Sequence, residues 1–126
     1  MTERPRMTLT GAVLDGPSAG ELAAFYRRLL DWTVAAEESD WVKLVPPGGG
    51  AGLAFQSEPG YVRPVWPSES GRQQMIIHLD IEVDDLEPAV AYATELGATL
   101  HGFQPQDDVR VCLDPAGHPF CFWIRT

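Results

Sequence analysis

The sequence predicts an α+β fold of two pseudo-symmetric β-α-β-β-β modules, forming a cup-shaped mixed sheet with helices outside. Two internal correspondences and one ordering carry this. Asp40-Trp41-Val42-Lys43-Leu44 lies over Asp107-Asp108-Val109-Arg110-Val111, an offset of 67 that also sets Gly50 on Gly117, Leu53 on Phe120 and Phe55 on Phe122. With one residue of slippage, Ser18 to Leu30 lies over Asp84 to Leu96. Each half then orders its elements as strand, helix and three strands. A period this long, occurring twice, denotes two copies of a supersecondary unit rather than a solenoid. Two such units with matching faces enclose a space, and function is expected there.

In the first module, 8–57, Leu9 to Asp15 alternates as a strand. Ser18 and Glu21 form a capping box after Pro17. Leu22, Phe25, Tyr26, Leu29 and Leu30 recur at helical spacing as one apolar stripe. Trp32 to Ala36, Trp41 to Val45 and Leu53 to Gln56 are three strands, with Pro46-Pro47-Gly48-Gly49-Gly50 as the turn before the last.

The second module, 75–126, repeats this order. Met75 to Val83 is a strand, and Asp84 with Glu87 is the second capping box. Leu86, Val90, Ala93 and Leu96 form the helix stripe, which Gly97 stops. Ala98 to Phe103, Val109 to Leu113 and Pro119 to Ile124 are strands, and Asp114-Pro115-Ala116-Gly117-His118 is the turn equivalent to the Gly-rich one. Between the modules, 58–74 is a Pro- and Gly-containing crossover with Tyr61 and Trp66, long for a compact domain. It reads as a plain linker, or as a lid or dimer-wrapping arm whose aromatics pack on something.

The 126 residues make one domain with a sizeable core. The 44% hydrophobic and 21% charged fractions are those of a globular protein. No apolar run approaches the roughly 18 residues of a membrane span. Met-Thr-Glu-Arg-Pro-Arg is followed by no apolar signal core, so a cytoplasmic location is expected. A net charge of −9 argues against nucleic acid. Cys112 and Cys121 are read as two thiols rather than a disulfide framework.

Paired modules of this kind resemble the vicinal oxygen chelate superfamily of glyoxalases, bleomycin-resistance proteins and extradiol dioxygenases. Glu21-Leu22-Ala23-Ala24-Phe25-Tyr26-Arg27-Arg28-Leu29-Leu30-Asp31-Trp32 resembles that family's first helix and following strand. His78-Leu79-Asp80-Ile81-Glu82-Val83-Asp84-Asp85-Leu86 resembles its second strand-to-helix entry, and Asp114-Pro115-Ala116-Gly117-His118-Pro119-Phe120 its last hairpin. The likeness covers nearly the whole chain and is strongest to the glyoxalase-like subgroup.

The resemblance implies a metal on the inner face of the cup, held from the first and fourth strands of each module. Those positions here are Gly11, Ala54, His78 and Cys121, related in pairs by the 67-residue offset. Gly11 and Ala54 offer no ligand atom, and His78 and Cys121 give two donors where Lewis-acid work normally takes three. No cofactor is therefore expected. A divalent ion would need a shifted site completed by Gln56 or Asp80.

Strand alternation sets Gln56, Asp80 and Trp123 on the same inner face. With Tyr61 and Trp66 closing over it, the expected ligand-binding residues are Gln56, Tyr61, Trp66, His78, Asp80, Cys121 and Trp123. His78 is the catalytic candidate, as general base or hydrogen-bond donor; the alternative is a core histidine. Cys121 is a small hydrophobe before it is a nucleophile, since no cationic neighbour is evident. His118 is assigned to turn chemistry, His101 has no role, and Asp84-Asp85 is a helix cap.

The leading expectation is a glyoxalase- or bleomycin-resistance-like protein holding a small, partly aromatic molecule without the usual metal. The alternatives are a glyoxalase-type lyase or isomerase with an atypical site, and an interaction module with an empty cup. Dioxygenase chemistry ranks below these because iron needs His and carboxylate ligands. The resemblance also implies a homodimer.

Overall fold

The structure, a computed structural model, describes residues 3–126. Its elements are β1 (Gly11–Gly16), α1 (Ala19–Leu30), β2 (Thr33–Glu38), β3 (Trp41–Val45), β4 (Gly52–Ser57), β5 (Leu79–Glu82), α2 (Leu86–Leu96), β6 (Thr99–Leu100), β7 (Val109–Leu113) and β8 (Pro119–Trp123). They form two four-stranded mixed sheets of the same order, β1-β4-β3-β2 and β5-β8-β7-β6. The expected α+β fold and its strand–helix–three-strand repeat are present. No helix among the described residues is long and apolar enough to cross a membrane.

The repeat holds at the level of register. Ala12 faces Leu53 and Val13 faces Ala54; in the second sheet Leu79 faces Phe120 and Asp80 faces Cys121, all displaced by 67. The third strand corrects the expected alignment. Trp41 pairs with Gln56 and Val109 with Trp123, so β3 lies over β7 at an offset of 68. The second turn is one residue shorter, and a one-residue slip would otherwise put β7's side chains on the wrong face.

The first helix forms as expected. Ser18 is its N-cap, accepting from the Glu21 backbone N–H at 3.2 Å, and Leu22, Phe25 and Tyr26 of the stripe are buried. The second capping box does not form. The N-cap is Asp85, not Asp84, and its carboxylate makes no capping bond. Pro88 falls at the third helical position and has no N–H for an N-cap side chain to take. Gly97, at φ 119°, ends α2 as expected, and the Ala98 N–H donates to Ala93 O at 2.9 Å.

Three strands are shorter than the sequence suggests. β1 starts at Gly11 rather than Leu9, and β5 at Leu79 rather than Met75. Opposite His78 the partner strand opens with Pro119, which has no N–H to continue the ladder. Instead of running from Ala98 to Phe103, β6 spans Thr99–Leu100. There the Gln104 carboxamide substitutes for a paired strand: its Oε1 accepts from Val111 N–H at 2.8 Å, and its Nε2 donates to Val111 O at 2.9 Å.

One apolar core joins both halves. Tyr26 of α1 stacks on Phe55 of β4 at 5.5 Å between ring centres and meets Phe120 of β8 edge-on at 6.1 Å. Phe25 and Phe122 complete the aromatic cluster around Phe120. Each ring of this size buried contributes on the order of 2–3 kcal/mol.

Among the described residues, that core holds one buried charge-bearing residue, Asp114, 1% exposed. The Tyr26 hydroxyl donates to its Oδ2 at 2.7 Å across 88 residues of sequence. Tyr26→Phe removes this donor and keeps the ring. We expect a loss of about 2 kcal/mol, the usual size for a hydrogen bond to a charged group. It should show as a lower urea midpoint with unchanged slope. An unchanged midpoint would mean that the bond contributes nothing net.

Candidate functional site

The inner face of each sheet is the one turned from the core. Alternation along β1 and β4 assigns it Gly11, Val13, Asp15, Ala54 and Gln56, and along β5 and β8 Asp80, Glu82, Cys121 and Trp123, with His78 preceding β5. A cavity of about 350 Å³ opens between β1, the approach to β5 and the crossover. Val13, Val62, Met75, Ile77 and Pro119 contribute apolar wall, Gln73 and Gln74 add carboxamides, and Asp15, Glu58, Tyr61, His78 and His118 are its ionisable groups.

The crossover is fastened over this cavity rather than free. Tyr61 donates to Ala116 O at 2.7 Å, and Arg63 Nη1 donates to Pro115 O at 3.1 Å. Arg63 covers Gly117, whose φ of 91° and absent Cβ permit the approach. Further along, Trp66 packs on His101 and Phe103 at 4.9 and 5.7 Å between ring centres.

Of the expected ligand-binding residues, Tyr61 and His78 line the cavity. Asp80 and Cys121 meet His78 beside it: their ligand-capable atoms lie within 4.8 Å of one another, and His78 Nε2 is 3.2 Å from Asp80 Oδ1. Gln56 is exposed on β4. Trp123 sits under the Arg125 guanidinium at 5.8 Å, and Arg125 also pairs with Glu82. Trp66 is on the His101 and Phe103 rings.

The fold family's metal site does not fit the first half of this chain. A Cβ on Gly11 would stand 2.8 Å from the carbonyl oxygen of its register partner Gly52, so a ligating side chain there would force the two backbones apart. Ala54 is buried and carries no donor. Asp80 adds a third donor in the second half to the two expected there, but His78 and Asp80 are 39% and 63% exposed. The Cys121 thiol is pushed up by burial and then by Asp80, which keeps it protonated near neutral pH. Cys112 is pushed up to about 11, again chiefly by burial; both cysteines are free, as expected.

The sequence reading missed a densely hydrogen-bonded polar group beside the cavity. Asp114 Oδ1 accepts from the Ala116 and His118 backbone N–H groups at 2.9 and 3.0 Å, and His118 Nδ1 lies 2.8 Å from Oδ2. His118 was assigned only to the turn, yet it also lines the cavity, with Nε2 3.4 Å from Tyr61 Oη. A signal was available: an aspartate opening a Pro-Gly turn with a histidine four residues on. Exposed Val13 and the approach residues Met75 and Ile77 left no comparable signal.

A sequence profile of the glyoxalase-like domain matches residues 11–123. The chain belongs to the glyoxalase-like domain family. No curated protein sequence matches this glyoxalase-like chain. Solved structures share the fold at low identity. A glyoxalase/bleomycin resistance protein/dioxygenase family enzyme from Burkholderia phytofirmans PsJN superposes with TM-score 0.68 at 17% identity, covering 94% of this chain and 98% of that one. The fosfomycin resistance protein FosX from Mesorhizobium loti gives 0.65 at 12%, with 97% and 95% covered. TnmS3, an antibiotic binding protein from Streptomyces sp. CB03234, gives 0.58 at 16%, with 96% and 100% covered.

Tyr61 links this site to alkaline stability. Its hydroxyl is pushed up to about 12, first by burial and then by Asp114. The unfolded chain gives up that proton near pH 10, so folding is favoured below pH 10 and loses the contribution as pH rises toward 12. Cys112 acts with the same sign from 9 toward 11. In urea titrations from pH 8 to 12, Tyr61→Phe should flatten the fall above pH 10. An equally steep fall in the variant would remove Tyr61 from the account.

Proposed function

We propose that this glyoxalase-like protein binds a small, mostly apolar and partly aromatic molecule in the cavity between β1, the approach to β5 and the crossover, without the superfamily's metal. The supporting observation is the cavity itself. Its volume of about 350 Å³ lies at the small end of ligand pockets, and its walls are apolar with few ionisable groups. Gly11 against Gly52 supports the metal-independent part. The description of TnmS3 as an antibiotic binding protein supports the binding class. In this reading Tyr61 and His78 touch the ligand, and Asp80, Cys121, Gln56 and Trp123 line the adjoining inner face. Trp66 anchors the crossover.

A second reading is a glyoxalase-type lyase or isomerase using a divalent ion held by His78, Asp80 and Cys121 alone. Their convergence favours it. The ion would supply Lewis-acid polarisation of a substrate oxygen. The exposure of His78 and Asp80 and the missing donors at Gly11 and Ala54 weigh against it.

The deciding experiment is a thermal-shift screen of small aromatic compounds and antibiotics against chelator-treated protein. A ligand at 100 times its Kd stabilises by about 2.7 kcal/mol. We expect stabilisation that chelator leaves unchanged and that His78→Ala reduces. Stabilisation abolished by chelator and restored by zinc or nickel would move the protein to the second reading.

A homodimer completes the proposal. Met7, Leu9, Ile76 and Ile77 are exposed at 67, 80, 81 and 60% on the unpaired approaches to β1 and β5. Such surface is characteristic of protein contacts. Sedimentation should give twice the 13.8 kDa chain mass, and Ile76→Asp with Ile77→Asp should return it to the single mass. A monomer in the unsubstituted protein removes this part.

A further inference from the structure

We infer that the Asp114–His118 pair is the cavity's polar anchor, and that His118 Nε2 accepts a hydrogen bond from an O–H or N–H group on the ligand. The inference rests on the proposed binding role and names the ligand's chemistry. A carboxylate only accepts, so the short His118 Nδ1 contact to Asp114 places the imidazole proton on Nδ1. In the neutral ring Nε2 is then a lone-pair acceptor. Tyr61 Oη lies beside it at 3.4 Å, but the single Tyr61 proton is directed to Ala116 O at 2.7 Å. The ring is therefore oriented on one side by a buried carboxylate and holds an unused acceptor on the other.

Orientation of this kind is strong. The Asp114 side chain is fully buried and held by Tyr26 and two backbone N–H groups, while His118 retains 19% exposure at the cavity wall. A staple needed only for the turn is already complete with those backbone bonds. The imidazole adds a group that meets the cavity.

The surroundings restrict the ligand further. Asp15 and Glu58 line the cavity, and no Lys or Arg does so among the described residues. Arg63 is committed to Pro115 O behind the turn. Gln73 and Gln74 add neutral amides, and a wall with two carboxylates and no Lys or Arg favours a neutral or cationic partner over an anion. The ligand class is thus an apolar ring system bearing a hydrogen-bond donor, not a carboxylate or phosphate.

Three matched probes test this: 2-naphthol, 2-methylnaphthalene and 2-naphthoate, titrated by protein-observed NMR. The unsubstituted protein should bind the naphthol about tenfold more tightly than the methyl compound, the difference one well-placed hydrogen bond makes. Naphthoate should bind most weakly. His118→Asn keeps an amide N–H where Nδ1 donates to Asp114 but removes Nε2, so the naphthol advantage should vanish while the methyl compound binds as before. Independently of any variant, imidazole 15N spectra of the free protein should show His118 as the Nδ1–H form, with Nε2 shifting on naphthol binding. An Nε2–H form, or equal binding of naphthol and the methyl compound, would overturn the anchor and leave the cavity-binding role standing. Failure of all three probes to bind would sink both.

Discussion

The rest of the structure depends on keeping one carboxylate out of water. Asp114 opens the turn between β7 and β8 and is 1% exposed. Burying such a group costs several kcal/mol unless donors replace its hydration. The donors come from opposite ends of the chain: Tyr26 from α1, and the Ala116 and His118 N–H groups and the His118 ring from its own turn. Satisfying it therefore sets α1 against the second sheet. The Tyr26 ring is stacked on Phe55 and against Phe120 by the same constraint. Burial and the Asp114 charge together hold the Tyr26 hydroxyl well above its ordinary range, so it stays a donor. Tyr61 and Arg63 then cover the outer side of the turn and bring the crossover to the cavity.

The duplicated register shows how the halves have diverged around that constraint. The first turn carries Gly48, Gly49 and Gly50 at positive φ, in solvent. Its counterpart is one residue shorter and closed by a side chain. Similarly, β1 and β4 meet through Gly11 and Gly52 so closely that backbone fills the place of a side chain. In the second half His78, the equivalent of Gly11, and Cys121, the equivalent of Ala54, keep side chains that meet Asp80. The first sheet is thus a wall and the second carries the polar chemistry.

Much of the fold was legible because it rests on local signals. The Leu22, Phe25 and Tyr26 spacing, the Ser18 cap and the Gly97 stop each act within a few residues. Errors arose where a distant or side-chain partner decided the outcome. Pro88 disarmed the second cap, and Gln104 replaced a strand with its own amide. The β3–β7 offset depended on a turn length that apolar alternation alone does not report. At the site, His78 and Tyr61 were readable from the repeat and the crossover. The role of His118 was not, because Tyr26, which holds Asp114, and Tyr61, which meets the His118 ring, are brought there only by the tertiary fold.

The balance of charge at the cavity bears on which chemistry this domain supports. Proton abstraction beside a carbonyl builds negative charge on oxygen, and catalysis requires donors or cations placed where that charge forms. No Lys or Arg lines this cavity among the described residues: Asp15 and Glu58 are acidic, Gln73 and Gln74 are neutral amides, and in the proposed anchor the cavity-facing nitrogen of His118 accepts. Arg63, the nearest guanidinium to the turn, is spent on a backbone carbonyl. In the proposed binding role, such a lining stabilises a ligand that brings its own protons, and it does so in the ground state. Ground-state binding of that kind retains a molecule without lowering the barrier to its conversion. In the proposed binding role, the Asp114–His118 pair is the feature through which the cavity would choose what to hold.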